Sequence, residues 1–333
     1  MSLSRPDAKS AQLVNTRTQR ALAVGLMAGK PWRCIAAIAW LSACDSGAPV
    51  GADKFPTPVA SVQAVAPKES TATATAAAAL AKAKAATQEQ ALKVLNPKGT
   101  ASYSGPTGTV SGVVTMSGDA PPTLDKVLAK IPKGRCEGAR SMYGRLFREG
   151  EGRTLGDVLV AVTKFKGYIP VKSDTVHLRP ADCAYQSRTI GMTFGQVLSV
   201  QSAGKDSYIP QLIGVSSPAL LVALPRGKAI ELLLPRPGSF GLIDNTHSYI
   251  YADVVVLRYA TFDVTGLDGR FDIGELPPGE LTVSAYLPVT GQSVQQTVTV
   301  KAGANSEISF SLAFEESKWR EHQDTEGRRF RQR

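Results

Sequence analysis

The chain has 333 residues, 43% hydrophobic and 20% charged, which is enough apolar material for more than one core. Its 38 basic against 28 acidic residues give a net charge of +10, yet no basic stripe is interleaved with aromatics, so no nucleic-acid partner is expected. Four cysteines and three histidines exclude a disulfide-stapled miniprotein and a histidine-built metal cluster.

The N-terminal segment reads as an export signal. Lys30 and Arg33 precede the apolar run Cys34 to Ala43, which is too short to span a bilayer. A basic segment, a short apolar run and small residues at a cut site make a secretory signal over residues 1–43. Leu41-Ser-Ala-Cys44 resembles a bacterial lipobox, which implies lipidation at Cys44 and a membrane partner through that anchor. A second apolar patch, Ala21 to Ala28, makes the leader long, and a start at Met27 gives a more ordinary signal. Arg5, Lys9, Arg17, Arg20, Lys30 and Arg33 face only Asp7 before the cut site, so half of the positive excess belongs to the leader.

Residues 44–108 are rich in Ala, Thr and Pro and poor in large apolar side chains. Such a span buries too little surface to offset its chain entropy, and it reads as a disordered or partly helical tether. Within it, Thr71 to Leu95 has high helix propensity, with Pro97 as a stop. Its apolar stripe is nearly all Ala, so weak packing is expected. A stalk helix docked on the folded part is the alternative.

From Thr109 the pattern changes to short β-type runs between Gly, Pro and Asp turns, which predicts an all-β sandwich or barrel. The runs are Val110–Met116, Asp157–Phe165, Thr175–Leu178, Thr189–Phe194, Val197–Gln201, Ala219–Leu224, Ile230–Leu234 and Ala252–Tyr259. A second β unit follows over Thr261–Val264, Arg270–Ile273, Glu280–Tyr286, Val294–Val300 and Glu307–Leu312. Leu281, Val283 and Ala285 alternate with polar neighbours, so one face of that run is buried. Gly266-Leu-Asp-Gly269 and Pro277-Pro-Gly279 read as turns. Residues 314–333 form a charged tail ending in Arg328-Arg-Phe-Arg-Gln-Arg333, a solvated terminus.

Cys136 and Cys183 remain once the leader and the lipidated cysteine are set aside. In an exported protein they suggest one disulfide, with two buried free thiols as the alternative.

Thr265-Gly-Leu-Asp-Gly-Arg-Phe-Asp-Ile-Gly-Glu-Leu-Pro-Pro-Gly-Glu-Leu-Thr-Val283 resembles the carboxypeptidase regulatory-like domain, a small seven-stranded β-sandwich related to transthyretin-like and starch-binding modules. Leu281 replaces the family's common Tyr, and the likeness covers residues 260–313, part of a full domain. That domain does no chemistry itself. Residues 109–259 resemble the cupredoxin-like (plastocyanin-type, methylamine-utilisation-like) domain. The landmarks are Gly112 to Pro122 as an opening strand and turn, Gly195 to Ser202, and Asn245 to Tyr259. Cys136 and Cys183 sit where that family places paired cysteines.

The resemblance implies a copper site whose ligand positions fall on Ser207, Asp244, His247 and Ile250. A blue-copper centre needs two imidazoles, a thiolate and a weak axial Met. Only His247 matches, so the metal positions are degenerate, and no metal or other cofactor is expected. His177 and His322 lie elsewhere in the chain. Gly-x-Ser-x-Gly and His-Glu-x-x-His are absent, and Gly214-Val-Ser-Ser-Pro218 lacks a strand-to-helix elbow. Asp268, Asp272 and Glu275 do not have EF-hand spacing. No catalytic residues are assigned and no enzyme is expected. Tyr249 and Tyr251 are candidates for an aromatic sugar-binding strip, with cross-strand packing as their ordinary use.

The expectation is therefore an exported lipoprotein of the bacterial cell envelope, periplasmic or surface-facing, with a non-enzymatic binding or structural role. Its partner is an envelope protein or a glycan. Copper handling or electron transfer, and carbohydrate binding, are the rival functions.

Overall fold

The computed structural model describes residues 71–215 and 220–320. The signal segment, Met27, Cys44, the first part of the Ala/Thr/Pro-rich span, His322 and the basic C-terminal end lie outside the described residues.

Helix α1 spans Thr71–Leu95. Asn96 closes it by accepting a bond from the Thr100 amide (2.8 Å) and donating one to the Thr100 carbonyl (2.7 Å). Pro97, next in line, cannot continue the ladder. The end of the helix is docked, which corrects the tether reading over its described part, residues 71–108. Ala91 is buried, and Val94 and Leu95 pack on the same core. Lys84 pairs with Glu231. Ala91 fits because Gly195 lies opposite: a Cβ there would stand 2.5 Å from the Ala91 methyl. None of the described helices is long and apolar enough to cross a membrane.

Strands β1 (Gly108–Gly118) and β2 (Leu159–Thr163) come next. Two short helices lie between them, α2 (Asp125–Leu128) and α3 (Glu137–Tyr143). Seven strands follow: β3 (Thr175–Leu178), β4 (Thr189–Thr193), β5 (Val197–Val200), β6 (Pro210–Ile213), β7 (Ile230–Leu233), β8 (Gly238–Asp244) and β9 (Tyr251–Leu257). The last five are β10 (Phe262–Val264), β11 (Arg270–Leu276), β12 (Gly279–Leu287), β13 (Gln292–Val300) and β14 (Asn305–Phe314). The fold is all-β, as the turn-punctuated pattern predicts.

These strands make two sandwiches, one interrupted by the other. The inner sandwich pairs β3-β5-β7 against β4-β9-β8-β6. Its core holds Leu178, Tyr185, Met192, Leu198, Leu242 and Val254. The outer sandwich pairs β11-β1-β14 against β10-β2-β12-β13. Its core holds Val114, Val160, Phe271, Val283 and Phe310.

A division at 259/260 is therefore corrected. β1 and β2, expected in the first domain, belong to the second. β1 runs parallel to β14, Thr109 opposite Asn305, and antiparallel to β11. β2 lies between β10 and β12. Residues 260–313 are thus not a free-standing unit, and Gly112 to Pro122 does not open the inner sandwich. With β1 and β2 the outer sandwich has seven strands, and the inner one is inserted between β2 and β10.

The residues of the Thr265 to Val283 segment each have a place. The Thr265 hydroxyl donates to the Leu155 carbonyl (2.6 Å) and accepts from the Val158 amide (3.0 Å). Gly269 has φ +68°, and a Cβ there would stand 2.4 Å from the Val114 carbonyl oxygen. Phe271, Ile273, Leu276, Leu281 and Val283 fill the core. Phe314 is also core and Trp319 packs on it, so the tail is ordered further than its polarity suggests.

Three further corrections concern strands. Only Ala223 of Ala219–Leu224 pairs among the described residues, by a single bridge to Tyr208. β6 and β8 were not expected: Pro210 and the glycines at 238 and 241 disguise them. Cys136 and Cys183, by contrast, form the expected disulfide, with 5.1 Å between their Cα atoms.

Candidate functional site

The connection from β8 to β9 carries three of the four degenerate metal positions. Asp244 ends β8 and is buried, and its carboxylate organises the loop. Oδ1 accepts from the amides of Thr246 (2.9 Å) and His247 (2.8 Å) and lies 3.0 Å from His247 Nδ1. Oδ2 accepts from the Ile209 amide at 2.7 Å, tying the loop to β6. The Asn245 amide donates to the Ile209 carbonyl (3.0 Å), and the Ile250 amide to the His247 carbonyl (2.9 Å). The carboxylate thus accepts two backbone amides of its own turn and a third from Ile209, ahead of β6, with the His247 ring beside it, an extended Asx arrangement.

His247 is wedged between two tyrosines. Its ring centroid lies 5.5 Å from Tyr208 and 5.8 Å from Tyr249. The hydroxyls of Tyr208 and Tyr249 are buried without a hydrogen-bond partner among the described residues. Burial raises both phenol pKa values, and the nearby Asp206 carboxylate adds to the rise. Tyr208 was not singled out in the sequence, and no motif marks it. Ile250 is 1% exposed and belongs to the inner core. Ser207 is half-buried beside Tyr208 on the opposing loop.

These residues do not suit copper. Both Asp244 oxygens are engaged by the turn, Ile250 faces the core, and the two cysteines are joined to each other. Among the described residues no group of three or more His, Cys, Asp or Glu is placed to hold a metal. His177 is exposed on β3, away from this loop.

Tyr249 and Tyr251 do not make an open strip. Tyr249 is buried against His247 and Tyr143, with centroids 6.4 Å apart for the latter pair. The Tyr251 hydroxyl donates to Asp253 at 2.6 Å. Both side chains are used inside the fold, Tyr249 in the loop's own packing and Tyr251 along β9.

A second polar cluster joins the two sandwiches. Asp157 precedes β2, in the outer sandwich, and is buried. Arg148 donates to both of its oxygens, while the Ser187 hydroxyl (2.8 Å) and the Arg188 amide (2.9 Å) reach its Oδ1 from the inner sandwich. Burial alone would raise the Asp157 pKa. The Arg148 guanidinium and the bonds from Arg188 and Ser187 outweigh it and hold the carboxyl below its ordinary value. Arg188 is itself buried, which lowers its pKa, and Asp157 and Asp253 counter that. This cluster is structural: its atoms are consumed by each other.

No family model matches this chain, and no curated protein matches it. Solved structures do. A reduced amicyanin mutant is 17% identical, covering 26% of this chain and 86% of its own, with a TM-score of 0.23. A second reduced amicyanin mutant is 14% identical, covering 29% and 99%, with a TM-score of 0.23. Amicyanin from Paracoccus versutus is 15% identical, covering 29% and 97%, with a TM-score of 0.23. The likeness is to a cupredoxin over part of the chain, and at this score it carries no weight for function.

Proposed function

We propose that this protein is an exported, lipid-anchored component of the bacterial cell envelope with a non-enzymatic binding or structural role. Asp244 carries the reading. At the position where a copper protein of this type needs a thiolate, the chain places a carboxylate and spends both of its oxygens on closing a turn. The anchor rests on Leu41-Ser-Ala-Cys44, and the membrane is the first partner. The seven strands of the outer sandwich support its kinship with carboxypeptidase regulatory-like domains, which accompany other units without doing chemistry.

Two measurements test this. Metabolic labelling with a fatty-acid analogue is expected to mark the protein and to fail on the C44A variant. Labelling that survives C44A, or none in the wild type, removes the anchor. Anaerobic copper titration followed by visible absorption is expected to give no intense band near ~600 nm, where a copper–thiolate site absorbs. Such a band would overturn the non-redox reading.

A further inference from the structure

We infer that the segment Leu220 to Lys228 is a membrane-contacting rail, which meets an anionic lipid surface independently of any lipid anchor. Five outward side chains alternate along it. Leu220, Val222 and Leu224 are 69%, 41% and 55% exposed, and Arg226 and Lys228 are exposed beyond them. Their inward neighbours fix the rail. Leu221 packs on the inner core and Ala223 is fully buried, exchanging two backbone hydrogen bonds with Tyr208 (3.0 and 2.8 Å). The Gln201 side chain holds the Gly227 carbonyl at 3.1 Å. The exposed aliphatic groups are therefore presented by a held backbone.

The turn at the basic end points the same way. The Gly227 amide donates to the Leu224 carbonyl at 3.0 Å, closing a β-turn over Leu224-Pro-Arg-Gly227. Arg226 is its third residue, with φ +56°, in the left-handed region that favours glycine. A charged residue in that region, at an exposed turn where glycine would fold more easily, is a choice that folding alone does not favour. Among the described residues neither Arg226 nor Lys228 has an ion-pair partner, so both charges are open to phosphate headgroups.

The chemistry of the rail separates a lipid surface from a protein partner. Exposed aliphatic patches rimmed by polar groups mark either. Protein hot spots favour Trp, Tyr and Arg, with Leu and Val under-represented, and lysine is depleted there. This rail has no aromatic, and it ends in lysine. A single row of aliphatics makes no pocket, and a bilayer needs none. Basic residues next to it gain attraction from anionic headgroups, and their stems lie along apolar surface. Half of the +10 charge lies in the leader, and the remainder keeps the matching sign.

The test uses the full chain carrying C44A, so that its failure leaves the anchor reading untouched. Flotation with phosphatidylcholine vesicles, with and without phosphatidylglycerol, is read at low and high salt. The expected result is binding that needs phosphatidylglycerol and weakens with salt. The triple variant L220D/V222D/L224D is expected to abolish it. R226G is expected to weaken binding about five-fold, from the attraction one basic residue contributes, while raising the melting temperature by relieving the left-handed strain. R226G and the triple variant must keep the wild-type near-ultraviolet circular dichroism. Retained flotation of the triple variant assigns binding to another segment, such as Arg328 to Arg333, and overturns the proposal. So does wild-type protein that fails to float, or a dimer that the triple variant dissociates while vesicles bind neither form.

Discussion

Arg148 grips Asp157 with two parallel hydrogen bonds, Nε to Oδ2 and Nη2 to Oδ1, both 2.6 Å long. The pair sits just before β2, and the same carboxylate holds the Arg188 amide of the inner sandwich. D157N keeps the shape but leaves a shielded guanidinium without its counter-charge. Breaking such a pair from one side costs about 3–5 kcal/mol, and urea unfolding at neutral pH is expected to show it.

The same residue sets a pH dependence. Its carboxyl is held below the ordinary value in the folded state. A depressed folded pKa gives stability that is complete above the unfolded pKa and is lost as pH falls through the folded one. Wild-type stability is expected to decline on acidification, and D157N to lose part of that slope. Equal slopes in both proteins would show that Asp157 is not the group responsible.

Removing the Cys136–Cys183 disulfide reopens a loop whose ends are 47 residues apart in sequence. Chain-entropy loss in the unfolded state accounts for about 4 kcal/mol at this length. C136S/C183S is expected to lower the denaturation midpoint to match, while reducing agent leaves the midpoint of that variant unchanged.

Asp244 and His247 separate scaffold from site. D244N offers one acceptor oxygen where the turn and the Ile209 amide need two, leaving a buried donor unmet at about 1–3 kcal/mol. H247Q removes the ring contacts with Tyr208 and Tyr249 but leaves the backbone amides on Asp244, and is expected to cost less. Thermal melts of both variants give the order, and a larger loss for H247Q would make the imidazole, rather than the carboxylate, the keystone of the loop.

At Gly269 an added methyl meets the Val114 carbonyl and a positive φ together. G269A is expected to destabilise by at least ~1–2 kcal/mol, the left-handed penalty alone, and a neutral effect in calorimetry would remove that turn from the determinants of the fold.

Local patterns in the chain are legible where the local signal is strong. Helix α1 ends where Pro97 demands it, and β12 shows its buried face in Leu281, Val283 and Ala285. The partners of β1 are not legible. Alternation tells which face of Val110 to Met116 is buried, but nothing in it names Phe310 or Phe271 as neighbours, since a period of two is shared by every half-buried strand. The degenerate copper positions could be placed from two stretches, Gln201 to Pro210 for Ser207 and Asp244 to Tyr259 for the other three. The turn-closing role of Asp244 could not, because one of its partners, Ile209, lies 35 residues away, just before β6. Tyr249 and Tyr251 look alike in sequence. Only packing shows that one is closed over by His247 and the other is tied to Asp253.

The parallel pairing of β1 with β14 also governs the order of events when the chain emerges N-terminus first. About 200 residues separate Thr109 from its partner Asn305. β1 is therefore delivered long before its neighbour. The inserted sandwich can close first, since its own strands lie within residues 175–257. Until the last strand is delivered, the first is an unpaired edge, the form in which β proteins most readily associate with the wrong chain. Any truncation before Asn305 would make that transient exposure permanent.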